Sequence, residues 1–265
     1  MIRNHEIDYT IVGAEMQYVE IELDPQETAM AEAGSFMMME DGIQMETIFG
    51  DGSEPSNTSG IFGKLMNAGK RLLVGQSLFM TAFTNIGYGK KKVSFAAPYP
   101  GKIIPLNLLE LGGRVICQKD AFLCAAKGVS IGIEFQRKLG TGLFGGEGFI
   151  MEKLEGDGMT FVHAGGHVTE KQLQPGEILK IDTGCIVGFT GSVAYDIEYV
   201  GGIKNAIFGG DGVFFATLRG PGTVWIQTLP ISRLAHRILM YGTVKQKEEG
   251  SILGGLGGLV EGDNW

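Results

Sequence analysis

Three side chains in one short stretch, His163, His167 and Glu170 in HAGGHVTE, are of the types that bind a metal. Zinc needs three or four such ligands converging at roughly 2.0–2.3 Å. Metal-binding β-barrels of the cupin type place histidines on adjacent strand positions of one face. These two flank Ala-Gly-Gly and fall around a turn, and the chain has only four histidines. The expectation is a pair of turn histidines, solvated or bonded to backbone, with no metal and no cofactor. Nor does any Ser or Cys come with a plausible base, so no catalytic residue is assigned.

The glycine-rich run Gly140 to Gly148 superficially resembles a phosphate-cradling loop. Such a loop needs a strand before it, a helix after it and usually a lysine, and here a strand follows. The same slot reappears as Ile207 to Gly212, which ties it to repeat geometry. Within these runs Glu147 and Asp211 occupy equivalent positions, with Gln76 in the first copy. They suit hydrogen bonds to neighbouring turn amides, and Gln76 breaks any set of three matched acids.

Lys90, Lys91 and Lys92 form the only tight basic cluster, in a chain of net charge −8. Nucleic-acid binding rests on neutralising phosphates, so this balance argues against it and the lysines read as a charged hairpin tip. The three cysteines, Cys117, Cys124 and Cys185, are odd in number and lack metal-type spacing. Each lies in an apolar, strand-like run, as a small hydrophobe would, which fits a reducing cytoplasm. The stretch from Met1 to Ile11 has no apolar h-region, and no apolar run reaches the roughly 18 residues of a spanning helix.

The elements that carry these residues are written three times. LDPQETAMAEAGSFMMMEDGIQM from Leu23, LELGGRVICQKDAFLCAAKGVSI from Leu109 and LQPGEILKIDTGCIVGFTGSVAY from Leu173 align, at offsets of 86 and 64 residues. Phe36, Phe122 and Ile186 correspond, as do Ile43, Val129 and Val193, with a turn at Gly42, Gly128 and Ser192. A second block follows in each copy: GQSLFMTAF from Gly75, GEGFIMEKL from Gly146 and GDGVFFATL from Gly210. The closing strands bring Phe95, Phe161 and Trp225 into equivalence, which points to core packing and not to base stacking. The larger first offset reflects an insertion at 50–73 and a longer hairpin at Asn85 to Lys92.

The runs are short, rich in β-branched and aromatic residues, and bounded by Gly, Pro or Asp, hence strands. Forty-three glycines fit many turns. One such unit buries little core alone, so the three should share faces. The expected organisation is all-β: a first repeat at 1–100, a second at 101–166, a third at 167–230, and a C-terminal helix and glycine-rich tail at 231–265. Ile231, Leu234, Ala235, Ile238 and Leu239 keep helical spacing.

The runs GGDGVFFATLRGPGTVWIQTLP and LGTGLFGGEGFIMEKLEGDG, with AEAGSFMMM and Gly-Gln-Ser-Leu-Phe, resemble the prokaryotic relatives of the mitochondrial-biogenesis family "altered inheritance of mitochondria 24". The resemblance runs from about Glu6 to Leu239. It implies three copies of a shortened double-stranded β-helix, similar to the tryptophan-attenuation RNA-binding protein, arranged about a pseudo-threefold axis, and a homotrimer. It carries over no enzyme activity. The mitochondrial members are linked to inner-membrane organisation and bear transit sequences of which the first residues here show no sign.

The expectation is therefore a non-enzymatic structural or interaction protein, a cytoplasmic trimeric β-scaffold whose partners are further copies of itself, with room for an unknown protein partner. The alternatives are a nucleic-acid or small-ligand binding ring, and a metal-dependent, cupin-like enzyme.

Overall fold

The computed structural model describes residues 6–32, 34–49, 79–137, 149–200 and 213–241. Nineteen strands run through them. After β1 (Asp8–Val12) come β2 (Tyr18–Leu23), β3 (Thr28–Glu32), β4 (Phe36–Met39), β5 (Ile43–Phe49), β6 (Phe79–Asn85) and β7 (Lys91–Ala96). Next are β8 (Gly101–Asn107), β9 (Arg114–Gln118), β10 (Phe122–Ala126), β11 (Ser130–Arg137), β12 (Phe149–Glu155) and β13 (Met159–Gly165). Last come β14 (Val168–Leu173), β15 (Ile178–Asp182), β16 (Ile186–Thr190), β17 (Ala194–Val200), β18 (Val213–Arg219) and β19 (Gly222–Gln227). One helix, 231–241, ends the described chain.

From β2 onward, each set of six strands pairs in the same antiparallel way. The first and third strands flank the sixth, as in β2-β7-β4, β8-β13-β10 and β14-β19-β16. The second and fourth flank the fifth, as in β3-β6-β5, β9-β12-β11 and β15-β18-β17. The third-to-sixth pairing shifts register at the same point each time, between Phe36 and Met38, Phe122 and Cys124, and Ile186 and Gly188. One extra residue there bends the strand and deepens the twist.

Two further ladders fuse these sets. β3 pairs with β10, and β9 with β16, giving the six-stranded sheets β5-β6-β3-β10-β13-β8 and β11-β12-β9-β16-β19-β14. A four-stranded sheet β1-β2-β7-β4 and a three-stranded sheet β15-β18-β17 account for the other described strands.

Local chemistry explains the turns. Gly42 and Gly128 sit at φ 93° and 99°, a conformation that costs glycine nothing. Ser192, aligned with them, is not among the positive-φ residues, so the third turn takes another path. The long hairpin after β6 is organised by buried Asn85. Its amide donates to the Leu23 and Gly89 carbonyls, and its Oδ1 accepts from Gly87 N.

Phe83, Phe95, Phe149, Phe161 and Phe189 are among the largest fully buried side chains. Burying each contributes about 2–3 kcal/mol. Phe95, Phe161 and Trp225 are all buried, as core packing requires, and so are Ile43, Val129 and Val193. Two aligned positions behave differently. Leu109 is 68% exposed, and Leu108, at 0%, fills the core site held elsewhere by Leu23 and Leu173. The cause is the turn after β8, which β9 does not end until Arg114 and whose backbone folds Leu111 and Gly113 back onto Leu108. The expected helix is present, yet Ile238 and Leu239 face solvent.

Candidate functional site

His163, His167 and Glu170 do not converge. His163 lies within β13, 1% exposed, with its ring edge-on to Tyr99 at 4.3 Å between centroids. Neither of its nitrogens has a well-formed hydrogen bond. Burial lowers its pKa to about 4, an effect that the nearby Tyr99 backbone opposes only in part. His167 is exposed in the following turn, where its backbone N–H donates to Thr228 Oγ1. Glu170, on β14 in another sheet, accepts from Trp225 Nε1 at 3.0 Å. Among the described residues no group of three or more His, Cys, Asp or Glu side chains is placed to hold a metal. Glu147, Asp211, Gln76 and the run Gly140 to Gly148 lie outside the described residues.

The lysine cluster is more structured than a solvated tip. Lys91 and Lys92 belong to β7, and Lys90 precedes it. Lys90 Nζ lies 2.8 Å from Glu22 and 2.9 Å from Asp8, and Lys92 Nζ lies 2.6 Å from Glu20. The hydrogen bonds that the Lys90 ammonium donates to Glu22 and Asp8 hold it above its ordinary pKa. These cations serve to fasten β7 to β1 and β2.

Cys117 and Cys124 are buried free thiols, pushed up in pKa by that burial. Opposite Cys117 stands a residue that no sequence motif marks, Glu152, at 1% exposure with Oε1 unpartnered. Burial, and then the charge of Glu32, raise its pKa to about 8. The alignment held the signal: the positions equivalent to Glu152 are Thr81 and Ala216.

The most unusual surface is a pair of sheet edges. β10 and β16, each flanked on both sides, are buried at every residue. β4, at the end of its sheet, is exposed at every residue: Phe36 39%, Met37 48%, Met38 43% and Met39 40%. Likewise β3 and β9 are almost wholly buried, whereas β15, also a sheet end, exposes Ile178 and Lys180. Arg233, near the start of the helix, donates to Asp182 Oδ2 at 2.9 Å, so the helix leaves from the end of β15.

Residues 9–229 match the family described as Mitochondrial biogenesis AIM24. The chain belongs to this family. An uncharacterised protein from Streptococcus pyogenes serotype M6 is 30% identical over 236 residues, covering 87% of this chain and 89% of that protein. The X-ray crystal structure of a Streptococcus pyogenes protein has the same fold, with a TM-score of 0.68 at 25% identity, over 89% of this chain and all of that one.

In this AIM24-family chain the described residues therefore offer two kinds of chemistry. One is a protonation balance at Glu152 and His163 that burial shifts toward the neutral forms. The other is backbone hydrogen bonding along β4 and β15, beside apolar side chains, which is the chemistry of strand addition. Among the described residues no helix is long and apolar enough to cross a membrane.

Proposed function

We propose that this chain is a non-enzymatic, self-assembling scaffold: a homotrimer of TRAP-like β-units, three to a chain and pseudo-threefold, working in the cytoplasm. The observation that carries this reading is β4. Four successive apolar side chains, Phe36 to Met39, stand exposed on a strand that pairs with β7 along one edge and ends its sheet along the other. Natural edges are guarded by lysine, proline, bulges or a covering element, and this edge carries the bulge between Phe36 and Met38 but neither charge nor proline. An apolar edge of this kind favours a partner.

Magnitudes shape the proposal. The four side chains are already half-covered, so burying the rest contributes roughly 1 kcal/mol apiece. Association costs at least about 4 kcal/mol, so these side chains alone yield no surplus. A stable assembly must add ladder hydrogen bonds and further apolar area, which exposed Ile238, Leu239 and Met240 on the helix beside β15 can supply. Free Cys117, Cys124 and Cys185 fit a reducing compartment.

Light scattering at micromolar concentration tests the reading. The expected mass is three times that of one chain. A single-chain mass at every concentration overturns it.

A further inference from the structure

The self-assembly reading does not say which surfaces meet, and the following inference rests on it. We propose that β4 of one chain pairs antiparallel with β15 of a second copy. In this joint Met38 stands opposite Ile181 of the partner subunit, Met39 opposite Lys180 of the partner subunit, and Glu40 opposite Leu179 of the partner subunit.

The register comes from the two joints already present within the chain. In the first, Cys124 faces Ala31, Ala125 faces Met30 and Ala126 faces Ala29. In the second, Gly188 faces Cys117, Phe189 faces Ile116 and Thr190 faces Val115. The sequence offsets of 86 and 64 residues carry every pair of the first joint onto a pair of the second. Each joint is closed by the same further bond, Lys127 N to Thr28 O at 3.1 Å and Gly191 N to Arg114 O at 2.9 Å. One more application of the offsets leaves one strand of each kind without such a joint, β15 and β4, and each of them ends its sheet. Its closing bond is Asp41 N to the carbonyl of Ile178 of the partner subunit.

Burial supports the same assignment. The positions of β4 are exposed where their counterparts in β10 and β16 are sealed, and in β15 Lys180 is exposed where Met30 of β3 and Ile116 of β9 are buried, while Ile181 is already covered from within its own chain. The deficit falls on the strands that would make a third joint. Neither strand contains proline, so every ladder donor is available. The internal ladders also accept bulky pairs, as Phe189 opposite Ile116 shows. Because each chain offers one β4 and one β15, the contact is heterologous and closes into a ring when its rotation allows.

The test uses two full-length single variants, Met38→Cys and Ile181→Cys, each with Cys185→Ser, co-expressed with one copy carrying a size tag. Cys117 and Cys124 are buried and stay out of the reaction. Mild oxidation is expected to give a reductant-sensitive tagged–untagged dimer. Met38→Cys with Tyr88→Cys, whose native side chain is fully exposed, is expected to give none. In parallel, Met38→Lys/Met39→Lys is expected to reduce the assembly to single chains with an unchanged circular dichroism spectrum. A disulfide formed only within one chain, in a Met38→Cys/Ile181→Cys double variant, overturns the proposal. So does an assembly that survives the double lysine variant without cross-linking, and that outcome leaves self-assembly itself standing. A wild type that is always a single chain removes both readings.

Discussion

Glu152 stands directly opposite Cys117 across the β9–β12 ladder, and both are sealed from solvent at 1% and 0% exposure. The two pKa effects run in one direction. Burial pushes the Cys117 thiol up, and the Glu152 charge adds to this; burial pushes the Glu152 carboxyl up to about 8, helped by Glu32 and Asp120 and opposed by Lys119. A neutral pair at this ladder position is the arrangement that avoids an unpaired buried charge.

A pH dependence follows. Unfolded, Glu152 titrates near its ordinary 4.5; folded, it titrates near 8. Between those values the native state holds the extra proton, so stability falls as pH rises through the window. The slope is at most about 1.4 kcal/mol per pH unit from this group. Urea unfolding of wild type and Glu152→Gln at pH 5, 7 and 9 checks it. The variant is expected to lose that decline and to gain on the wild type toward pH 9. Parallel profiles would show that the carboxyl is not buried as described.

His163 sets the acid side with the opposite sign. Its pKa is about 4 folded against an ordinary 6.5. The unfolded chain therefore binds the proton first, and the contribution is fully present above 6.5 and lost as pH falls toward 4. His163→Leu, which keeps an apolar side chain against Tyr99, is expected to flatten the fall in stability between pH 6.5 and 4. Thermal melts across that range measure it, and an unchanged acid limb would place the imidazole in solvent.

The basic cluster predicts a negative. Lys90 and Lys92 are engaged by Asp8, Glu22 and Glu20, which leaves little free positive charge to meet phosphates. A fluorescence titration with single-stranded RNA at 20 mM salt (about that, low enough to exaggerate surface electrostatics) is expected to show no shift. Binding that weakens steeply as salt rises would revive the nucleic-acid reading.

The strands were legible from sequence because their signals are local: short β-branched and aromatic runs closed by Gly, Pro or Asp. The equivalence of Phe95, Phe161 and Trp225 likewise foretold three buried side chains. What could not be read there was non-local. Phe36 aligns with Phe122 and Ile186, yet Phe122 and Ile186 are covered by the neighbours of β10 and β16, and β4 ends its sheet. Burial of a strand depends on the next strand, which no window of sequence contains. Leu109 failed for a related reason, since a one-position change at a turn decides which leucine points inward. Glu152 was visible as an acid where the other copies hold Thr81 and Ala216, but only its burial gives that difference chemical meaning.

The joint between β9 and β16 supplies the last prediction. Gly188 faces Cys117 there, and a Cβ added at Gly188 would lie 2.8 Å from the Ile116 carbonyl oxygen and 3.1 Å from the Cys117 Cβ. At the other joint the sizes are exchanged, with Cys124 facing Ala31. In the β9–β16 joint it is the close approach of the β9 backbone to Gly188 that leaves no room for a larger side chain. A carbonyl within a ladder cannot swing aside as a flexible side chain can, so Gly188→Val must shift backbone and is expected to cost about 1–3 kcal/mol. Gly132→Ala is the matched control, because its added Cβ would meet only the Lys153 side chain, at 3.3 Å. Urea unfolding of the two variants should separate them clearly, the first losing stability and the second staying near wild type. Equal midpoints would mean that β16 does not approach β9 closely enough to form the ladder on which the chain-to-chain register depends.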